Sequence, residues 1–205
     1  MKGQIMAQIV AATCNEHKLN EYRELLKDQK VEVVGLNAYK KCPPIEENGA
    51  TFEENASIKA LAANKYCDIP AFADDSGLEV EALGGAPGIQ SARYADSDSA
   101  RIARVLSELG DNPNRKAKFV CVIAIAINGE VIETFRGEVP GVIINEPRGS
   151  NGFGYDPVFM PDGYDKTFGE LDAETKNKIS HRARAFQKAI EFVEDEMSVL
   201  DDDFS

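Results

Sequence analysis

Lys118-Phe119-Val120-Cys121-Val122-Ile123-Ala124-Ile125-Ala126-Ile127-Asn128-Gly129-Glu130-Val131-Ile132-Glu133-Thr134-Phe135 is the stretch that decides the fold. Residues 118–127 form an apolar, β-branched run. Asn128-Gly129 is a strong hairpin turn, because both residues tolerate positive φ. Residues 130–139 resume with strand alternation, so an antiparallel pair is expected here. The first half of the chain reads differently. Residues 8–12 and 31–36 are short apolar strands that enclose a helix running from an Asn15 cap to about Lys27, with Leu19, Tyr22, Leu25 and Leu26 on one face. Strand–helix alternation followed by a hairpin predicts an α/β fold with a central mixed β-sheet flanked by helices.

Further elements fit that frame. Thr51-Phe52-Glu53-Glu54 has capping-box spacing and opens an alanine-rich helix to about Tyr66. Residues 71–73 read as a strand ending at Asp74-Asp75, and residues 78–83 as a further strand before the loop Gly84-Gly85-Ala86-Pro87-Gly88. A helix over residues 99–109 buries Ile102, Val105, Leu106 and Leu109 and stops at Gly110. Residues 142–145 give another short strand. The last helix spans residues 180–197, with Ala185, Phe186, Ala189, Ile190 and Val193 inward. No repeat or long linker divides the chain. A single domain over residues 1–197 is expected, with an acidic tail at 198–205.

Charge and composition exclude several classes. The net charge is −12, and residues 191–205 carry seven acids without a base, which leaves −5 on the rest. Such a surface disfavours DNA or RNA, which require a basic footprint. The apolar run 119–127 is far short of the ~20 residues of a membrane helix, and Met1-Lys2-Gly3-Gln4-Ile5-Met6 lacks the apolar core of a secretion signal. Cys14, Cys42, Cys67 and Cys121 form no CxxC pair. Reduced thiols in a cytoplasmic protein are therefore expected.

Four constellations carry chemistry. Asp74-Asp75 ends an apolar run, and alternation in extended backbone sends the two carboxylates to opposite faces. One would face a cleft, while the other supports loop backbone or meets solvent; a plain Asp-Asp-Ser-Gly turn is the alternative. Thr13-Cys14-Asn15-Glu16-His17-Lys18 joins a strand to a helix start, where backbone N–H groups favour an anion. Taken by itself, that hexapeptide is better explained by an Asn cap followed by a surface lysine, and His17 alone reads as a surface helix residue. Gly149-Ser150-Asn151-Gly152-Phe153-Gly154-Tyr155-Asp156-Pro157 combines close-approach glycines with two aromatics, suiting a flat ring, or else a loop with its aromatics tucked into the core. Ser180-His181-Arg182 opens the last helix as an oxygen-binding group or as a cap.

Taken in order, these motifs resemble the inosine triphosphate pyrophosphatase family, in its bacterial form. The resemblance also covers Glu46-Glu47-Asn48-Gly49-x-Thr51-Phe52-x-Glu54-Asn55-Ala56, Lys59-Ala60, Leu83-Gly84-Gly85-Ala86-Pro87-Gly88 and Ser91-Ala92-Arg93-Tyr94. It implies two lobes with the active-site cleft between them, a homodimer, Mg²⁺, and cleavage of non-canonical purine nucleoside triphosphates (ITP, dITP, XTP) to the monophosphate and pyrophosphate. It implies Asp75 as proton acceptor and, with Glu46, as metal carboxylate. Thr13, Cys14, Asn15, Glu16, His17 and Lys18 would meet the triphosphate, and Ser76 the substrate. Phe153, Gly154, Tyr155, Asp156, Lys176, His181 and Arg182 would hold base and sugar. A non-catalytic nucleotide sensor, or a pyrophosphatase for other modified nucleotides, is the alternative. Retention of Glu46, Asp75, Lys18 and Lys59 favours the enzyme.

Overall fold

A computed structural model describes residues 7–29, 31–39 and 43–202, with side chains described from residue 8 to residue 192 within them. The strands β1 (Ala7–Ala11), β2 (Val31–Gly35), β3 (Ala71–Val80), β4 (Lys116–Ile127), β5 (Glu130–Ile143) and β6 (Phe159–Pro161) form one sheet in the order β2-β1-β3-β4-β5-β6. Pairing is parallel between β1 and both β2 and β3, and antiparallel from β3 to β6. The helices are α1 (Glu16–Leu25), α2 (Phe52–Cys67), α3 (Asp98–Leu109), α4 (Ala173–Ile179) and α5 (His181–Asp202). The sheet is mixed because α1 provides the crossover that a parallel pair needs, whereas Asn128 (φ 53°) and Gly129 (φ 85°) close a tight hairpin between β4 and β5.

β4 explains the continuous apolar run, for both of its faces are covered. Val120, Val122, Ala124 and Ala126 pack with Ala56, Ala60 and Ala63 of α2. Cys121, Ile123 and Ile125 face Leu19 and Tyr22 of α1 and Phe186 of α5. Ala117 and Phe119 share that second face but belong to another core, with Val105 of α3, Phe159 and Phe168. One face of the sheet thus carries two apolar clusters. The cleft opens at their boundary, where neither cluster continues.

Local chemistry sets the helix ends. Asn15 Oδ1 accepts from His17 N–H at 2.9 Å and Lys18 N–H at 3.3 Å, starting α1 as expected. Thr51 Oγ1 accepts from Glu54 N–H at 3.1 Å, while the Glu54 carboxylate reaches back to Ala50 N–H rather than to the cap itself.

The structure differs from the sequence reading in several places. Residues 71–73 and the start of 78–83 are one strand, β3, because β4 pairs with it without interruption from Ala71↔Ala126 to Val80↔Ala117. Residues 142 and 143 likewise continue β5. Helix α4, capped by Asp172 through Thr175 N–H at 2.7 Å, was not expected, since seven residues give too little periodicity to detect. Helix α5 starts at His181 and continues past 197 to Asp202. Cys42 and the end of the tail lie outside the described residues, as does the side chain of Val193.

Gly137 fixes how closely α5 approaches the sheet. A Cβ there would lie 2.2 Å from His181 O and 2.5 Å from Ala185 N. Gly137→Ala must therefore displace the helix start that carries His181 and Arg182. A loss of about 1–3 kcal/mol, typical of overpacking, is expected in urea denaturation; an unchanged midpoint would show that α5 is not seated by this contact.

Candidate active site

Asp74 and Asp75 sit mid-strand in β3 and, as alternation requires, serve opposite faces of the sheet. Both are buried, at 4% and 7% exposure. The expectation that one would meet solvent or brace a loop is therefore corrected: Asp74 is enclosed by side chains. Lys18 Nζ donates to its two oxygens at 2.9 and 2.8 Å, the Tyr22 hydroxyl and Ser76 Oγ also donate to it, and Arg182 Nη2 lies 3.6 Å away. Burial alone would raise the Asp74 pKa, but Lys18, Arg182 and Lys59 hold it well below the usual carboxylate range.

Asp75 faces α2. Asn55 Nδ2 and Lys59 Nζ both donate to it at 3.2 Å, and Lys59 Nζ also reaches Glu47 Oε2 at 2.8 Å. Here burial prevails: the Asp75 pKa is raised, with Glu47 adding to the rise and Lys59 opposing it. Asn55 Oδ1 accepts from Gly49 N–H at 2.9 Å, so α2 tethers the loop that bears both glutamates. Glu46, the expected metal carboxylate, is exposed, and among the described residues it has no partner at the site. Its neighbour Glu47 is the glutamate that shares Lys59 with Asp75. Two carboxylates flanking one ammonium, beside an open loop, suit a Mg²⁺ ion that takes one or two protein carboxylates and completes its shell with water and phosphate oxygens. Glu47 and Asp75 fit that donor set; Glu46 lies outward of it.

On the Asp74 side, Ser76, Lys18, Phe153, Lys176, His181 and Arg182 line a cavity of about 190 Å³, together with Asn15, His17 and the backbone of residues 154–156. Arg182 is 2% exposed. Its Nη1 donates to Glu21, which also accepts from Lys176 Nζ at 2.9 Å. Burial pushes the Glu21 carboxyl up, but Arg182 and Lys176 outweigh it and lower the pKa. Lys176 Nζ further donates to Asp156 Oδ2 at 2.8 Å, and the same oxygen accepts from Phe153 N–H at 2.8 Å. His181 stacks on Phe119 with centroids 4.7 Å apart and planes at 12°. His181 Nδ1 and Arg182 Nε are buried with no hydrogen-bond partner among the described residues. Such orphaned atoms beside a cavity mark a place for a polar ligand.

The remaining expected residues are spread around this centre. Thr13 Oγ1 accepts from Asn15 N–H at 3.1 Å, Cys14 is exposed, and Glu16 accepts from Asn37 Nδ2 at 2.6 Å, away from the cavity. Tyr155 turns its hydroxyl into the core, donating to Ser91 O at 2.9 Å. Glu21, Tyr22, Asn55, Glu47 and Asp98 were not expected as site residues. A helical-spacing argument could have found two of them: Glu21 stands three residues from Lys18, and Asn55 four from Lys59, each pair on one helix face.

A buried cavity of paired, balanced charges beside the Phe153 ring, backed by a second face of paired carboxylates, defines an α/β protein with a polar cleft for a small ring-bearing ligand. The chain belongs to the Ham1 family, whose model matches residues 9–192. It is 46% identical over 195 residues to a Bacillus subtilis (strain 168) protein named dITP/XTP pyrophosphatase, a match covering 93% of this chain and 98% of that one. The structure of the Staphylococcus aureus Ham1 protein superposes with a TM-score of 0.83 at 44% identity, covering 92% of this chain and 99% of the other. A HAM1 protein from Coxiella burnetii gives 0.84 at 43%, over 93% and 100%.

Two outcomes follow from these charges. Asp74→Asn leaves the buried Arg182 and the half-buried Lys18 short of a counter-charge and should cost about 3–5 kcal/mol, as breaking a buried ion pair does. Asp75→Asn removes a carboxylate that burial already disfavours and leaves Lys59 paired with Glu47, so its stability loss should be clearly smaller. Equal losses in chemical denaturation would refute this division. The second outcome concerns His181, whose pKa is driven well below 6.5, first by burial and then by Arg182 and Lys176. Below about pH 6.5 the unfolded chain takes up a proton that the folded chain refuses. Stability should therefore fall with acidity by up to about 1.4 kcal/mol per pH unit. His181→Phe should flatten that part of the pH–stability curve, and an unchanged slope would contradict it.

Proposed function

We propose that this chain hydrolyses purine nucleoside triphosphates carrying a 6-oxo base, namely ITP, dITP and XTP, to the nucleoside monophosphate and pyrophosphate. The observation that carries this reading is the division of labour at β3, with Asp74 organising a pocket of fixed, charge-paired donors and Asp75 a carboxylate face one residue away. The name of the Bacillus subtilis relative supports the substrate class.

In this reading the triphosphate spans both faces. Lys18, at the start of α1, and Lys59, on α2, supply positive charge against the phosphates, where they stabilise charge developing on the departing pyrophosphate. Asp75 takes the proton of the attacking water. Asn55 holds the Asp75 side chain in place through the 3.2 Å hydrogen bond. Mg²⁺ held by Asp75 and Glu47 would neutralise phosphate charge and acidify bound water. Thr13, Asn15 and Ser76 add neutral donors along the chain of phosphates. Residues 198–205 take no part.

Base choice falls to the buried donors. Arg182 carries donors only, and Glu21 and Asp74 fix its orientation from two sides. The O6 of hypoxanthine or xanthine accepts from such a group, whereas the 6-amino group of adenine meets it donor to donor. The partner is thus a small-molecule purine nucleotide rather than a nucleic acid or membrane. We further assign the protein to the cytoplasm as a homodimer, on the family resemblance.

The test is a pyrophosphate-release assay with Mg²⁺ across ITP, XTP, GTP and ATP. Pyrophosphate and IMP should appear together from ITP, with ATP disfavoured by about 10²–10⁴ in kcat/KM. Asp75→Asn should lower kcat by about 10²-fold or more, and Arg182→Ala should narrow the ITP/ATP ratio. Primary release of IDP and orthophosphate would overturn the reaction assigned here.

A further inference from the structure

The cavity of about 190 Å³ is smaller than the ~300–1,000 Å³ of ordinary small-molecule sites, and a specific contact narrows it. His17, in the first turn of α1, stacks on Phe153 across the cleft, with ring centroids 5.5 Å apart and planes at 25°. The two rings are held very differently. The backbone around Phe153 is fastened on both sides, by Phe153 N–H to Asp156 Oδ2 at 2.8 Å and by Gly154 N–H to Asp98 Oδ2 at 2.7 Å. His17 is exposed, and only its backbone N–H is tied, to the Asn15 cap.

We propose that His17 is the movable wall of the base slot: a planar purine enters between His17 and Phe153 and is sandwiched by the two rings. This rests on the function proposed above and deepens it, since it makes His17 a base-stacking residue rather than a phosphate contact. One aromatic layer between two others needs about 7 Å between the outer rings, two contacts of about 3.5 Å each. The rings must therefore part by a small distance from 5.5 Å, which an exposed histidine achieves by a change of rotamer. Phe153, fixed at its backbone, stays as the anvil. The edge of an inserted base then lies near Lys176, whose Nζ is 4.9 Å from the Phe153 centroid, and Arg182, whose Cζ is 5.7 Å from it. Stacking on two faces brings the base edge to the donors that read it. The ring of His17 meets an aromatic partner rather than Lys18, Lys59 or Asp75, the groups that would handle phosphate.

The chain contains no tryptophan, so His17→Trp places a single indole on the movable wall. Titration of that variant with IMP, without metal, reads stacking by fluorescence quenching and needs no turnover. IMP should quench the indole, Phe153→Ala in the same background should abolish most of the effect, and tripolyphosphate should leave the emission unchanged. In kinetics, His17→Ala should raise the KM for ITP about tenfold, as loss of one base–aromatic stack does, with the loss falling on KM rather than kcat. His17→Phe should restore it, and inhibition by tripolyphosphate should not respond to either variant. Quenching by tripolyphosphate as strong as by IMP, or an unaltered KM in His17→Ala, would overturn the proposal. If IMP quenches while the wild-type protein releases no pyrophosphate from ITP, the stacking wall stands and the proposed reaction fails.

Discussion

Two consecutive acids in an extended strand cannot share a side of the sheet, and in β3 both sides are buried. Everything around Asp74 and Asp75 follows from that constraint. A buried carboxylate survives ionised only with partners that replace water, so each face must bring its own cations. Lys18 from α1 and Arg182 from α5 converge on Asp74, and Lys59 from α2 on Asp75. The helices are thereby fixed to the strand by charge as well as by apolar packing. Opposite pKa displacements at the two residues, downward at Asp74 and upward at Asp75, follow from the number of cations each face supplies. One acid is held as an anion by three cations; at the other, burial prevails over a single ammonium.

The mixed sheet was legible in the sequence because its determinants are local. The continuous apolar run of β4, the Asn128-Gly129 turn and the Asn15 and Thr51 caps act over a few residues and read the same way in any context. The unbroken β3 was not legible. Asp-Asp-Ser-Gly favours a turn on its own, and it is held extended by ten consecutive partners in β4 and by ion pairs from helices far away in sequence. Helix α4 escaped for the opposite reason, being too short to show a period. The segments that the motifs singled out meet around one cavity, but their wording could not tell which member of a pair faces inward. Glu46 and Glu47 are adjacent acids on an irregular loop, and only the Lys59 contact distinguishes them. Glu21 was hidden because an exposed helix acid and a buried counter-ion look alike in a sequence.

The acidic chain and the anionic ligand proposed for it are compatible because the buried charges are paired among themselves. The net charge is −12, with seven acids in residues 191–205, while the buried charged side chains among the described residues include three cations, Lys59, Lys176 and Arg182, and three aspartates, Asp74, Asp75 and Asp156. Salt screens charges at the surface far more than charges in a dry cleft, so the local field in the pocket is set by these few groups. Their own neutralisation matters as much. Glu21 and Asp74 balance Arg182, and Asp156 balances Lys176 together with Glu21, so the pocket holds donors in fixed directions with little surplus charge. In the function proposed here, such a pocket would favour a neutral base with an acceptor in the right place over any anion that happens to fit.

His181 Nδ1 and Arg182 Nε show where the fold accepts a penalty. A buried polar atom without a partner costs about 1–3 kcal/mol, and these two adjoin a cavity ringed by otherwise satisfied groups. Evolution could remove the cost with apolar side chains of similar shape. Retaining it means that the ion pairs and stacking these two side chains make outweigh the penalty: Arg182 holds Glu21 and lies beside Asp74, and His181 stacks on Phe119. Gly137 lets the first turn of α5 lie against β5, and Phe119 supports the His181 ring from the sheet, so both side chains are held in place by backbone and core.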